Sequence, residues 1–236
     1  MRVPSSLRVR VPARTIEELQ DALDASLSWR RVELSSLRNE VERSARRGAH
    51  SPLARALSRS GVALLYAHWE GFAKDAFGAY VDFLSRRRLK VSQLNDGLLR
   101  TVFAGLQRRA ARGDAAAASA MLEAIRRPDS VSAPMPRSGV VNTKSNLRYD
   151  VLVELLDAVG LDAAEFATRS NLIDRLLCDA RNEVAHGREH YPAPERFNEL
   201  HAAVMTMMEA LRHRILEAVR LETYKMVGPA QGTGEK

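Results

Sequence analysis

Apolar residues recur at helical spacing along most of the chain. In the stretch from Leu53 to Phe83 they lie mostly three to five positions apart, at Leu53, Leu57, Leu64, Leu65, Trp69, Phe72, Phe77 and Phe83. This is close to the period of an amphipathic helix, in which such residues share one face. No window alternates between apolar and polar residues as a half-buried strand does. The pattern therefore predicts an all-α bundle with this stretch as its central helix.

Capping residues divide the chain into predicted helices. Thr15 and Glu18 form a capping-box pattern that opens a helix running to about Arg47. Ser51, followed by a proline, opens the central helix, which we expect to end near Arg88. Further helices are predicted over Ser92 to Gly113, Asp114 to Arg127, Asn146 to Val159, Asn171 to Gly187 and Glu195 to Lys225, with a short turn capped by Asp162.

The composition changes between residues 128 and 146, where Pro, Ser, Gly, Val and Asn accumulate. Such a segment is typical of a loop, and here it separates two halves of one bundle. We therefore predict a single helical domain over residues 15–225. Residues 1–14 are predicted to be a disordered basic arm, and residues 226–236 a flexible tail.

Charge points to a polyanionic partner. The 236 residues carry a net charge of +7, with a sequence pI near 10.0 and a basic run from Arg86 to Lys90. These features favour nucleic acid, although arginines on solvated helix faces would give the same composition. The hydrophobic share of 45% is enough for a real core.

The lone cysteine, Cys178, excludes an intrachain disulfide and a zinc site built on several thiolates. It suits a reducing compartment, and no segment has the length of a membrane span or the pattern of a secretory signal. We therefore expect a cytoplasmic protein without membrane contact. Phosphate-binding loops, dinucleotide fingerprints and zinc-finger spacings are missing from the sequence, so we expect no cofactor and no metal.

The segment Arg181-Asn182-Glu183-Val184-Ala185-His186-Gly187 holds the candidate chemistry. It places a permanent cation, an amide and a titratable imidazole within little more than one helical turn. At about 100° per residue, Asn182 and His186 share a face, while Arg181 lies about 140° round from His186. A second copy packed across a two-fold axis would bring two arginines and two histidines together, so the motif predicts a homodimer with a shared cleft.

The spacing by itself predicts little, because Arg196 and His201 repeat it. The context is what distinguishes the first match. An asparagine follows its arginine, Gly187 offers a helix C-cap, and an apolar face precedes it at Leu172, Ile173, Leu176 and Leu177. Taken from the residues alone, Arg181 and His186 are either catalytic or simple capping and salt-bridge residues.

At this motif the chain resembles the HEPN superfamily (higher eukaryotes and prokaryotes nucleotide-binding domains), in the branch with the signature Arg-Asn-x-x-x-His. Tyr66-Ala67-His68-Trp69-Glu70-Gly71-Phe72 and Asn146-Leu147-Arg148 also resemble stretches of bacterial HEPN-like nucleases. The resemblance covers about residues 50–220 and implies an up-and-down HEPN bundle with additional helices. It also implies a dimeric, metal-independent endoribonuclease in which Arg181 and His186 are catalytic and Asn182 orients or binds.

The resemblance further implies a role as a toxin or phage-defence effector, with a cognate antitoxin or regulatory partner. RNA would be cut to 2′,3′-cyclic phosphate and 5′-hydroxyl ends. Some HEPN toxins are modified on a tyrosine two residues after the histidine, but this position is Arg188 here, so we expect no such modification. The alternative is a catalytically inactive HEPN module that binds RNA or a nucleotide, or acts as an interaction subunit.

Supporting residues are expected around the motif. Glu70 lies in a strongly apolar helix and needs a partner, which is either the Arg181 and His186 pair or Lys74 one turn later. Tyr66 and Glu183 are predicted to support the site. The predicted RNA-binding cations are Lys74, Lys144, Arg148 and Arg188.

Overall fold

The computed structural model describes residues 13–136, 139–189 and 192–226, and within these ranges the protein is a helical bundle without strands. Its helices are α1 (Ile16–Gly48), α2 (Pro52–Ser85), α3 (Asp96–Ala111), α4 (Ala115–Arg126), α5 (Tyr149–Ala158), α6 (Ala180–Ala185) and α7 (Pro194–Arg220). A π-helical segment, Leu172–Asp179, leads directly into α6. The predicted all-α class is confirmed. Much of the predicted arm and tail, residues 1–12 and 227–236, lies outside the described residues.

Helices α1, α2 and α7 form the centre of the bundle. Ion pairs join α1 to both neighbours: Arg30 to Asp75 of α2 at 3.0 Å and Arg31 to Glu209 of α7 at 2.5 Å. The core between these helices is built largely by α2, whose fully buried side chains include Trp69, Phe72, Phe77, Tyr80 and Phe83. The central helix predicted from the apolar pattern is therefore confirmed.

The predicted starts of the first two helices are also confirmed. Thr15 Oγ1 accepts a hydrogen bond from the Glu18 amide at 3.2 Å, and Glu18 Oε2 accepts one from the Thr15 amide at 3.2 Å. Ser51 Oγ accepts from the Ala54 amide at 3.2 Å. Each side chain satisfies an amide that has no partner within its helix, which is why the helix begins there.

Three predicted helix starts are wrong. The helix expected at Ser92 begins at Asp96, because Asn95 caps it by accepting from the Leu98 amide at 3.1 Å. The helix expected at Asn146 begins at Tyr149, whose amide donates to Asp174 at 2.8 Å. Finally, Asn171 has helical dihedral angles and no capping hydrogen bond, since helical backbone already begins at Ala164.

Two glycines of α2 lie where another helix approaches closely, as their position within a long helix suggests. A Cβ atom at Gly61 would be 2.5 Å from Cε2 of Phe197 in α7, and one at Gly71 would be 3.2 Å from Nη2 of Arg30 in α1. A side chain at Gly61 would force the Phe197 ring or α7 to move, whereas one at Gly71 would displace the end of the Arg30 side chain. Within the ranges that the structure describes, none of the helices combines the length and the apolarity needed to cross a bilayer.

His201 of α7 is an uncompensated polar group in this core. It is 5% exposed, and neither ring nitrogen has a hydrogen-bond partner among the described residues. Burial, together with the nearby Arg38 cation, lowers its pKa below the ordinary value of 6.5. The unfolded chain therefore takes up a proton at His201 more readily than the folded protein does, and stability falls as the pH falls below about 6.5.

Replacing His201 by leucine should consequently stabilise the protein, and by more at pH 5.5 than at pH 8. Removing an unsatisfied buried group is expected to gain about 1 kcal/mol or more at low pH. Urea unfolding at the two pH values measures the difference, with His213→Leu as the control at an exposed position of the same helix. An identical difference at both pH values would contradict this account of His201.

Candidate functional site

The Arg181–Gly187 motif closes the helix that contains the π-helical segment and α6. The chain leaves α6 through a Schellman turn, in which the Arg188 amide donates to Glu183 O at 2.9 Å and the Gly187 amide donates to Val184 O at 3.1 Å. Gly187 has φ of +72°, a left-handed conformation that favours glycine. The C-cap predicted at Gly187 is therefore confirmed. His186 is the C-cap residue within this turn, and its side chain is exposed.

Arg181 points towards α2 and the loop before α5. Its guanidinium carbon lies 4.2 Å from the ring centroid of Tyr66. The Nη2 atom donates to Ser145 O at 3.0 Å and to Asn146 Oδ1 at 3.3 Å. The π-face and the two oxygens therefore hold a half-buried cation in one place and leave it little freedom.

Tyr66 connects Arg181 to the loop. Its hydroxyl accepts a hydrogen bond from the Leu147 amide at 2.7 Å, and burial raises the pKa of this hydroxyl above its ordinary value. The Leu147 carbonyl in turn accepts from Cys178 Sγ at 3.4 Å. Burial raises the pKa of Cys178 to about 12, so the thiol is protonated at neutral pH and is a core residue rather than a nucleophile.

The loop beside Arg181 is conformationally strained. Lys144 and Ser145 have φ of +51° and +61°, which non-glycine residues rarely adopt. Such strain persists only where neighbouring contacts enforce it. Here Thr143 Oγ1 donates to Glu70 Oε1 at 2.5 Å on one side, and Ser145 O accepts from Arg181 on the other. These contacts fix the direction in which the loop carbonyl faces the guanidinium.

Glu70 is 15% exposed and binds Lys74 at 3.1 Å besides Thr143. Of the two partners considered for this carboxylate, the structure supplies Lys74. In the described part of the chain, Glu70 has no hydrogen bond to Arg181 or His186. Its contact with the site runs through the loop, because Thr143 lies two residues before Ser145.

All four predicted RNA-binding cations lie in ion pairs. The pairs are Lys74–Glu70 at 3.1 Å, Lys144–Glu154 at 2.6 Å, Arg148–Asp179 at 2.5 Å and Arg188–Glu183 at 2.9 Å. Their cationic side chains are between 37% and 68% exposed, so RNA phosphates could reach them but would compete with carboxylates. Their role in RNA binding stays a prediction, as does the supporting role of Glu183.

Arg181 and His186 have different surroundings within the chain. Arg181 is anchored against Tyr66, His186 is exposed beyond the end of α6, and no hydrogen bond joins them among the described residues. Asn182 contributes its carbonyl to the His186 amide at 2.9 Å, as a helix requires. This arrangement agrees with the angle of about 140° expected between the two residues on one helix, because side chains separated by such an angle face different directions.

The structure also adds a residue that the sequence did not single out. Arg59 of α2 donates through Nη2 to Val184 O at 3.3 Å and through Nη1 to Arg188 O. More than 120 positions separate Arg59 from these carbonyls, and no local pattern of residue types marks it. Only the packing of α6 against α2 reveals the contact.

Among the residues that the structure describes, no three histidine, cysteine or acidic side chains cluster in a way that could hold an ion. The chemistry available at the motif is that of a guanidinium, an amide and an imidazole.

The helix that carries the motif packs against the long central helix α2 of an all-α bundle. The chain belongs to the HEPN superfamily, because the model of the HEPN_MAE_28990-like HEPN family matches residues 19–224. This confirms the superfamily indicated by the sequence. No curated protein and no solved structure gives a significant match.

Proposed function

We propose that the protein is a metal-independent HEPN endoribonuclease that acts as a toxin or phage-defence effector. One observation carries the proposal: the three sequence stretches that resemble HEPN nucleases meet in space. Tyr66 of the first contacts Leu147 of the second and Arg181 of the third. His186 follows little more than one helical turn after Arg181 and is exposed to solvent.

In the proposed reaction, the RNA 2′-hydroxyl attacks the adjacent phosphorus and the bond from phosphorus to the 5′-oxygen breaks. His186 moves a proton beside the phosphate, as a general base towards the 2′-hydroxyl or as a general acid towards the leaving 5′-oxygen. Arg181 stabilises the charge that develops on the phosphoryl oxygens. The products are a 2′,3′-cyclic phosphate and a 5′-hydroxyl, and the proton balance requires no metal.

A symmetric homodimer would supply both proton-transfer roles at once. Two copies of α6 facing each other across a two-fold axis would place two exposed His186 side chains and two anchored Arg181 side chains in one cleft. The separation of the two residues within one protomer supports this arrangement, because a single chain does not bring them together. A cognate antitoxin or other regulatory partner would then act by covering the cleft.

A second candidate is an inactive HEPN module that binds RNA or a nucleotide, or serves as an interaction subunit. The contacts of Arg181 favour it. Nη2 already donates to Ser145 O and Asn146 Oδ1, so a phosphate would have to compete with both oxygens or use the remaining N–H groups. In this alternative, the loop and Tyr66 hold Arg181 for structural reasons alone.

The two candidates are separated by an RNA cleavage assay with Arg181→Ala. Loss of one group that stabilises the transition state is expected to lower the rate by about 10²–10³-fold. Arg196→Ala is the matched control, because Arg196 has the same spacing to a histidine, is 46% exposed and pairs only with its neighbour Glu199 in the described ranges. Wild-type protein that binds RNA in fluorescence anisotropy without cutting it would favour the inactive module.

A further inference from the structure

The guanidinium of Arg59 attaches the turn that carries His186 to α2. Its two terminal nitrogens reach two carbonyls on either side of His186, Val184 O at 3.3 Å and Arg188 O. The guanidinium therefore spans the backbone that bears His186. Arg59 is half-buried in the second turn of α2.

One of these carbonyls, Val184 O, belongs to the last turn of α6, and the other, Arg188 O, lies just beyond the end of the helix. The last carbonyls of a helix have no partner within it, and they form the negative end of its dipole. In α6 the Schellman turn satisfies Glu183 O and Val184 O, and a guanidinium adds both hydrogen bonds and a positive charge. Because this turn is the end of the helix that the π-helical segment and α6 form, no further helical turn holds its backbone, and the two hydrogen bonds of Arg59, here called the clamp, tie it to α2.

We propose that Arg59 is a positioning residue, which holds the turn at residues 184–188 on α2 and thereby sets the direction of the His186 imidazole. The effect on catalysis rests on the proposed ribonuclease function. The effect on the position of the turn does not depend on that function. General acid–base catalysis needs the imidazole within hydrogen-bond reach of the proton that it transfers, so a turn free to move would spend little time in the reactive geometry.

The geometry of the clamp also predicts which substitutions are tolerated. A guanidinium is a planar fork that can bond two separate carbonyls at once, whereas an ammonium is a compact point charge. Arg59→Lys should therefore keep the charge at the end of α6 and one of the two contacts. Arg59→Gln should lose the charge and at least one contact.

Hydrogen exchange of the Gly187 and Arg188 amides, measured on the full chain by NMR, tests the clamp without reference to activity. Both amides are bonded in the Schellman turn, so their exchange reports its opening. Arg59→Gln is expected to speed their exchange on the order of tenfold, and Arg59→Lys by less. Arg86→Gln, at the other end of α2 and paired with Asp82, is the matched control and should leave both amides unchanged. Unchanged exchange in Arg59→Gln would overturn the proposal.

Cleavage kinetics then test the consequence for His186. Arg59→Gln should lower kcat on the order of 10- to 100-fold with little change in KM, and Arg59→Lys should recover part of the loss. A raised KM with unchanged kcat would make Arg59 an RNA contact instead, and an unchanged kcat beside faster exchange would also overturn the positioning role. If the wild-type protein cuts no RNA, the ribonuclease proposal fails, and hydrogen exchange alone decides whether Arg59 holds the turn.

Discussion

Replacing His186 by alanine is expected to lower the rate of RNA cleavage by about 10²–10⁴-fold, the usual contribution of a general acid or base. The physical reason is that no other imidazole lies in the motif and Arg181, permanently protonated, cannot accept a proton. His186 is exposed at the end of α6, so truncating it should change the free energy of unfolding by no more than about 0.5 kcal/mol. Initial rates on a defined RNA measure the effect.

His213→Ala is the control for this substitution. His213 is also exposed, but it lies on α7 and outside the motif, so its loss should leave the rate unchanged. Equal rates for wild-type protein and the folded His186→Ala variant would remove His186 from the reaction. The inactive-module candidate predicts that outcome.

Replacing Tyr66 by alanine is expected to lower the free energy of unfolding by about 3–5 kcal/mol, the usual cost of truncating a buried aromatic side chain. Tyr66 is 3% exposed. Its ring lies against the Arg181 guanidinium and its hydroxyl accepts from the Leu147 amide. The substitution thus opens a cavity, releases the guanidinium and leaves an amide without its partner. Urea unfolding followed by circular dichroism measures the loss.

Tyr66→Phe separates the hydroxyl from the ring. It should cost only about 1–3 kcal/mol, because the ring stays in place while the Leu147 amide loses its acceptor. Tyr149→Phe provides the matched control, since Tyr149 is half-buried and its hydroxyl has no hydrogen bond within the described ranges. A Tyr66→Ala variant within 1 kcal/mol of the wild type would show that Tyr66 does not hold the loop and the motif together.

Helix starts could be predicted where the signal is local. The capping box at Thr15 needs only two residues three positions apart, and the glycine that ends α6 needs only its own backbone freedom. Helix starts at asparagines were harder to predict, because the side-chain amide of an asparagine can either cap its own helix or form a hydrogen bond with a distant group. Asn95 takes the capping role at the start of α3, whereas Asn146 accepts from Arg181 instead. Tertiary packing decides whether an asparagine caps its own helix or bonds a distant group.

The candidate site likewise combines features that the sequence predicts with features that depend on tertiary packing. The sequence contains the motif and two supporting stretches, and the superfamily they indicate is confirmed. What it does not contain is the geometry between them: the Tyr66 ring under Arg181 and the strained loop carbonyl of Ser145 depend on how α2, α6 and the loop pack. The Arg59 contact belongs to this second group, because it joins residues of one helix to backbone atoms of another.

The most direct test of the central claim is cleavage of a defined RNA by the purified wild-type protein in excess chelator, with analysis of the product ends. The account predicts cleavage in the chelator, leaving 2′,3′-cyclic phosphate and 5′-hydroxyl ends, because a guanidinium and imidazoles carry the reaction. Cleavage that appears only after a divalent metal is added and leaves 3′-hydroxyl ends would contradict it.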